Sequence, residues 1–361
     1  MCRLVIYKGT EPILLSHLLT RPAHSIINQA FDSRLRLDRR RPINGDGFGV
    51  GWYDTPSDGG SEPCIFTSIT PAWNNANLTR IAEKIRSPLV FGHVRATTAG
   101  SLSQDNCHPW RYGRLMWMHN GGIAEFDRLK RPLQALLPDE IFAVPQGNTD
   151  SEWAFALFLA ELSKLHPIIP KSSSNPDHSA PIPHDLLQKA MLATISTLNR
   201  LARDAGVSEP SLMNFCVADG QTVVATRYIS SKKDEAASLY YSSGTTFCEE
   251  SVHCTNNDAA TVNGNGSGSG HYRMSKLDKR ENIIMIASEP LTFEKADWLE
   301  IRTNTMVVIT PKMNFLQIPI KDEFYVPHSV AHTRTIEFAA TKGLLSPKTG
   351  AFVPRIAGEA S

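Results

Sequence analysis

With 361 residues, 41% of them hydrophobic and 20% charged, the chain has the composition of a folded globular protein and not of a disordered one. Its 37 basic residues nearly cancel its 36 acidic ones, so a net charge of +1 offers no field for nucleic acid or an anionic membrane and points to a small-molecule substrate. No apolar stretch reaches bilayer length and no secretory leader pattern opens the sequence, so the cytoplasm is the expected compartment.

The first strand is predicted over residues 2–7, an apolar run at the very terminus. Strands follow over 48–53, 89–93 and 114–119. Helical periodicity then runs over 151–165, where Trp153, Phe155, Ala156, Phe158, Leu159 and Leu162 crowd one broad side and Asp150 or Ser151 is the expected cap. A second helix is predicted over 185–205, and strands return over 214–218, 223–228, 283–288 and 306–310. Nearly continuous apolar runs indicate sheets covered on both faces. Strands at both ends of the chain with two helices between them fit an α+β sandwich better than repeating βαβ units. Residues 167–184 and 256–270, rich in Pro, Ser, Asn and Gly, read as surface insertions within one fold spanning 2–325. Residues 326–361 form a weakly patterned tail, expected to pack loosely.

Six cysteines without a CxxC pair are expected to remain thiols, and neither a metal nor a cofactor is expected. Four segments carry chemistry. Cys2 follows the initiator Met, whose removal would place nucleophile and base on one residue: the thiol attacks, and the freed α-amine, with an ordinary pKa of about 8, takes and returns its proton. Met118-His119-Asn120-Gly121-Gly122-Ile123 combines amide donors with free backbone, the components of an oxyanion hole, in a turn expected to follow the strand. In the run from Gly92 to Gly100, Arg95 can hold a carboxylate bidentately, with His93 and Thr98 as second-rank contacts. Asn148-Thr149-Asp150-Ser151-Glu152 opens the helix, and Asp150 can receive an ammonium group. Together these parts suit a γ-glutamyl group, which carries both charges.

In that order the four segments resemble those of class II glutamine amidotransferases, over roughly residues 2–310. The resemblance implies a four-layer αββα sandwich of the N-terminal-nucleophile hydrolase type. It also implies Cys2 as nucleophile, Asn120 and Gly121 as oxyanion donors, Arg95 as carboxylate ligand and Asp150 as ammonium ligand. The chain resembles more closely still the fungal Dug-type amidotransferase subunits of a glutathione-degrading complex. That similarity is carried by LLTRPAHSIINQAFDSRLRLDRRR from Leu18 to Arg41, by Asn44-Gly45-Asp46-Gly47-Phe48-Gly49, Pro71-Ala72-Trp73-Asn74-Asn75 and Ala287-Ser288-Glu289-Pro290-Leu291. It implies cleavage of glutathione to glutamate and Cys-Gly through a thioester, beside a metallopeptidase-like partner subunit. Ala96 and Ala99 stand where synthase-linked relatives often carry Trp and His, which implies a more open loop and a larger leaving group than ammonia. No further domain that would consume ammonia is expected.

Glutamine or another γ-glutamyl conjugate, as in ergothioneine-pathway hydrolases, is the alternative substrate, and a noncatalytic partner-binding subunit is the alternative of another class. The basic run from Arg34 to Arg41 is read as a solvated loop or a contact for the terminal carboxylate of a Cys-Gly leaving group. Cys107-His108-Pro109 is read as structural, because adjacent residues rarely aim both side chains at one atom.

Overall fold

In the strand Arg3–Leu14, side chains alternate between two faces, and both faces are buried: Leu4 and Ile6 pack on one side, Val5 and Tyr7 on the other. The computed structural model describes residues 2–31, 44–55, 61–96, 102–168, 180–249, 270–327, 334–335 and 338. The strand lies in the middle of a seven-stranded sheet ordered Leu299–Glu300, Tyr240–Gly244, Ile283–Ala287, Arg3–Leu14, Arg86–Val94, Phe48–Tyr53 and Cys64–Ser68. A six-stranded sheet runs Phe315–Pro319, Thr305–Ile309, Val223–Arg227, Leu212–Ala218, Leu115–Gly122 and Trp110–Tyr112. A two-stranded ribbon pairs Thr246–Glu249 with Tyr272–Ser275.

Alternation sorts the apolar residues into three cores. Between the sheets, Leu4, Ile6, Phe91, Ile284 and Ile286 meet Met116, Met118, Cys216, Val307 and Ile309. On the outer side of the first sheet, Val5, Tyr7, Val90 and Met285 pack against Leu18 and Leu19 of the helix Ser16–Leu19, Ile26 and Ala30 of Ile26–Phe31, and Leu78 and Ala82 of Ala76–Ala82. Outside the second sheet, Leu115, Trp117, Phe215, Val224 and Val308 pack against the helices Phe126–Gln134, Asp139–Phe142, Asp150–Ser163 and His184–Asp204. These layers make the αββα sandwich that was expected.

The strands predicted from the sequence are all present, within three residues at each end, except that the first, expected over 2–7, runs on to Leu14. The strands at all four sheet edges, Leu299–Glu300, Cys64–Ser68, Phe315–Pro319 and Trp110–Tyr112, were not anticipated: they are short or half-exposed and carry no long apolar run. Tyr240–Gly244 lies inside a sheet but reads Tyr-Tyr-Ser-Ser-Gly, a turn-like composition. The helix expected over 151–165 spans Asp150–Ser163, and its cap is Thr149, whose hydroxyl accepts from the Glu152 N–H at 3.3 Å, rather than Asp150 or Ser151.

Three further expectations change. Most of the insertion at 167–184 and of that at 256–270 lies outside the described residues, yet Ile168 and Ile182 at the margins of the first are buried in the helical core. Arg334 donates to the carbonyls of Ser231, Asp234 and Phe324, and Phe338 packs on a cluster of Leu212, Ile229, Ala236 and Ala237, so part of the tail is docked. Cys248 is disulfide-bonded, its partner lying outside the described residues, because spacing along a chain does not report which sulfurs a fold brings together. The basic run from Arg34 to Arg41 and Thr98 also lie outside the described residues.

Phe158 is fully buried, with its ring 5.2 Å from that of Trp117 between the helix Asp150–Ser163 and the second sheet. Phe158→Ala is expected to cost about 3–5 kcal/mol in a chemical denaturation series, the range for truncating a large core aromatic.

Candidate functional site

Strand parity decides what surrounds Cys2. Even-numbered residues of the first strand, Leu4 and Ile6, face the second sheet, as do Leu89 and Phe91 of the neighbouring strand Arg86–Val94. The same alternation carries Cys2 and His93 to the inter-sheet side, and on the opposing strand Leu115–Gly122 it carries Asn120 there, in step with Met116 and Met118. Leu4 pairs with His93 and Arg3 with Val94, so the chain terminus and the end of the strand Arg86–Val94 lie side by side. The Ala96 N–H donates to Cys2 Sγ at 3.3 Å, and the thiol lies 3.7 Å from the Ala96 carbonyl as donor. Cys2 is a free thiol and partly exposed.

Arg95 is 4% exposed and forms no ion pair among the described residues, and its Nη1 has no hydrogen-bond partner. Its backbone N–H is held by the Gly47 carbonyl at 2.8 Å. Gly47 has φ +111°, and a side chain there would lie 2.8 Å from Cys107 Sγ and 2.9 Å from the Ser68 carbonyl, so only glycine allows this approach. Burial of a cation without a counter-ion is costly. His93 and His108 lie near enough to Arg95 to feel its charge, His93 directed toward the His119 backbone and both rings buried with little polar company, and Asn120 Oδ1 is likewise buried without a hydrogen-bond partner.

His93 and His108 stack with ring centres 3.9 Å apart, and His108 meets Trp110 edge-on at 4.1 Å. Burial pushes His93 down to about 3 and His108 well below the usual imidazole value, so both rings are neutral near pH 7. Cys107 is buried, with its thiol directed at the carbonyls of Ser68 and Ser103 and pushed up to about 11 by burial. It stays protonated and lies near enough to Arg95 to feel its charge.

Asn120, Gly121 and Gly122 belong to the strand Leu115–Gly122 and not to a turn after it. Asn120 is buried opposite Asn214, and a side chain at Gly121 would meet the Leu212 carbonyl at 2.0 Å and His119 Nε2 at 2.5 Å. His119 faces the helical side. Its Nε2–H donates to the Leu212 carbonyl at 2.9 Å, which leaves Nδ1 to accept from the Ser151 hydroxyl at 2.8 Å. Burial lowers its pKa despite the neighbouring Asp150, so the ring braces the strand from behind as a neutral group.

Asp150 is half-buried at the first turn of its helix. Oδ2 accepts from the Ile123 N–H at 2.7 Å and Oδ1 from the Ser151 N–H at 2.8 Å, so the carboxylate is tied to the end of the Asn120 strand. Glu152 is buried, which raises its pKa, and its two oxygens accept from the N–H groups of Gln146 and Gly147 at 2.8 and 2.7 Å. With Asn106 Oδ1 accepting from the Asn148 N–H at 3.2 Å, it shapes the approach to Asp150. Sequence reading passed over Glu152, although Thr149-x-x-Glu152 is the spacing of a capping box. Among the described residues no three His, Cys, Asp or Glu side chains converge to hold a metal ion.

Residues 15–318 match the family of glutamine amidotransferases class-II. The chain belongs to the class II glutamine amidotransferases. A Saccharomyces cerevisiae protein bearing the name "Probable glutamine amidotransferase DUG3" is 49% identical over 350 residues, covering 96% of this chain and 91% of that one. Among solved structures, a glutamine aminotransferase class-II domain protein from Silicibacter pomeroyi superposes with TM-score 0.54 at 24% identity, over 89% of this chain and all of that one. The B. subtilis glutamine phosphoribosylpyrophosphate amidotransferase gives 0.50 at 13% identity, and there the chain spans 49% of the other's length. At such identities the structural likeness concerns the fold, which is shared by this amidotransferase family.

Two measurements probe the site. A methyl group added at Gly122 would meet nothing within 4 Å, whereas one at Gly121 would abut backbone, so Gly122→Ala is expected to leave the melting temperature near wild type while Gly121→Ala costs about 1–3 kcal/mol. His93 binds a proton near 6.5 when unfolded and only near 3 when folded, so the unfolded state holds more protons between those values and stability falls as pH falls through that window. Replacing His93 by Phe is expected to flatten that loss, measured by urea denaturation between pH 6 and 4, by about 1.4 kcal/mol per pH unit.

Proposed function

We propose that this chain hydrolyses γ-glutamyl amide bonds through Cys2, and that glutathione is its substrate. The observation that carries this reading is Arg95: a buried guanidinium with no ion-pair partner among the described residues, one residue from the backbone that touches Cys2 Sγ. An α-carboxylate on Arg95 and an α-ammonium on Asp150 hold a glutamyl group by its two charges. The γ-carbonyl then extends toward Cys2, with His93 as a further contact.

With Met1 removed, the Cys2 α-amine takes the thiol proton as sulfur attacks the γ-carbonyl, while Asn120 and Gly121 receive the oxyanion. The amine returns the proton to the departing nitrogen, the C–N bond breaks, and a γ-glutamyl thioester remains. Water, activated by the same amine, releases glutamate and restores the thiol. With glutathione the first product is Cys-Gly. The short Ala96 side chain beside the nucleophile supports a leaving group larger than ammonia. The similarity to fungal glutathione-degrading subunits supports a metallopeptidase-like partner and a cytoplasmic setting; among the described residues no helix is long and apolar enough to cross a membrane.

Incubation with 6-diazo-5-oxo-norleucine followed by intact and peptide mass measurement tests the reading. Loss of Met1 and a single adduct on Cys2 are expected, with release of Cys-Gly from glutathione abolished by Cys2→Ala at unchanged melting temperature. Retained Met1, an adduct elsewhere, or full activity in Cys2→Ala would sink the nucleophile assignment and favour a noncatalytic subunit. Arg95→Met is expected to raise KM for glutathione by at least tenfold, since it removes a charge-assisted contact to the bound carboxylate.

A further inference from the structure

The parity that sends Cys2 between the sheets sends Arg3 to the opposite face, among the helices. There a 4% exposed guanidinium meets a 4% exposed carboxylate: Arg3 Nη2 lies 2.7 Å from Glu289 Oε1. The same guanidinium turns back on the terminus, where Nη1 donates to the Cys2 carbonyl at 3.1 Å. Glu289 is itself held. His24 Nε2 lies 3.8 Å from its second oxygen, while His24 Nδ1 donates to the Pro290 carbonyl at 2.5 Å. Gln29 donates to the carbonyls of His24, Glu289 and Pro290. One residue earlier, the Leu4 N–H donates to Ser288 Oγ and the Ser288 N–H to the Leu4 carbonyl, at 3.0 and 3.1 Å. The segment Ser288-Glu289-Pro290 thus grips the chain terminus by its backbone on one side and by Arg3 on the other.

We propose that Arg3 and Glu289 are positioning residues, a buried ion pair that fixes the Cys2 carbonyl and so aims the sulfur and the α-amine of that residue. The proposal rests on the reading of Cys2 as an N-terminal nucleophile. A terminal residue has one peptide neighbour and would otherwise rotate about its backbone bonds. Attack and proton transfer use two atoms of the same residue, so a small rotation misplaces both. A buried pair of this kind is a poor source of stability but a good source of geometry, since the fork of an arginine fixes direction as well as distance.

The test uses the full chain, with its partner subunit where activity requires one. Arg3→Lys, Arg3→Met, Glu289→Gln and the double variant Arg3→Met/Glu289→Gln are compared with wild type. The readouts are melting temperature, kcat and KM for glutathione, and the pH midpoint of iodoacetamide alkylation at Cys2, located by peptide mass. All four variants are expected to lose at least tenfold in kcat with KM within twofold. Glu289→Gln leaves Arg3 without this counter-ion and lowers the alkylation midpoint; Arg3→Met leaves the carboxylate and raises it. The double variant returns the midpoint to wild type while kcat stays low, because neutrality is restored but the carbonyl clasp is not. Cys107, which feels the charge of Cys2, Arg95 and His93 beside Cys107 and His108, and His24 behind Glu289 are untouched in every variant. If a charge-changing single variant fails to fold, Arg3→Lys and the charge-matched double decide by kcat. Folded variants with kcat within twofold of wild type, or midpoints that move together instead of oppositely, overturn the proposal. Failure of wild-type Cys2 to react with 6-diazo-5-oxo-norleucine would overturn the hydrolase reading instead, and the alkylation midpoints would still report on the clasp.

Discussion

The structure depends on where its first strand is inserted. Arg3–Leu14 does not decorate an edge; it lies between Ile283–Ala287 and Arg86–Val94, paired antiparallel to both. A strand in that position has both its backbone sides and both its faces committed, so the terminus is among the most constrained places in the molecule although termini ordinarily fray. The position also brings together residues from opposite ends of the chain, Leu4 with Ser288 and Arg3 with Glu289.

From that insertion the site follows by alternation. Cys2, His93 and Asn120 share the slot between the sheets because each is in step with apolar residues that fill it. Arg95 enters at the strand end, turned by a glycine at Gly47 that no side chain could replace without striking Cys107 and Ser68. On the far side, His119, Ser151 and Leu212 form a neutral hydrogen-bonded brace that ties the Asn120 strand to the helix carrying Asp150. The two charged groups are thereby fixed to different sheets, one through the strand Arg86–Val94 and one through the end of Leu115–Gly122. That arrangement leaves a buried cation and several neutral polar atoms without hydrogen-bond partners on the inter-sheet side.

The fold class was legible because the central strands carry near-continuous apolar runs and the helix His184–Asp204 a clear periodicity. The helix Asp150–Ser163, read as apolar on one broad side, is instead buried on nearly every side between the second sheet and its neighbouring helices. The same signal fades where structure is short or half-solvated. Edge strands such as Cys64–Ser68 and Phe315–Pro319 bury too little to leave a pattern, and helices of four to six residues such as Ser16–Leu19 and Ile26–Phe31 are too short to show a period. The candidate site divides likewise. Cys2, Arg95, Asn120 and Asp150 stand out because their chemistry is unusual for their neighbourhoods. Gly47 holds the Arg95 backbone, Glu289 and His24 act one step back through Arg3, and Glu152 holds the loop before Asp150; nothing about an isolated Glu, His or Gly announces what it will hold.

What the sequence determined by itself was the alternation of apolar residues, hence the number of buried faces, and the presence of one reactive set of side chains spread across the first 150 residues. Only the tertiary structure decided which members share a slot and which support them from behind. Alternation is a local property written in successive residues, while the pairing of Arg3 with Glu289 joins positions 286 residues apart (289 − 3) and exists only once two strands lie side by side.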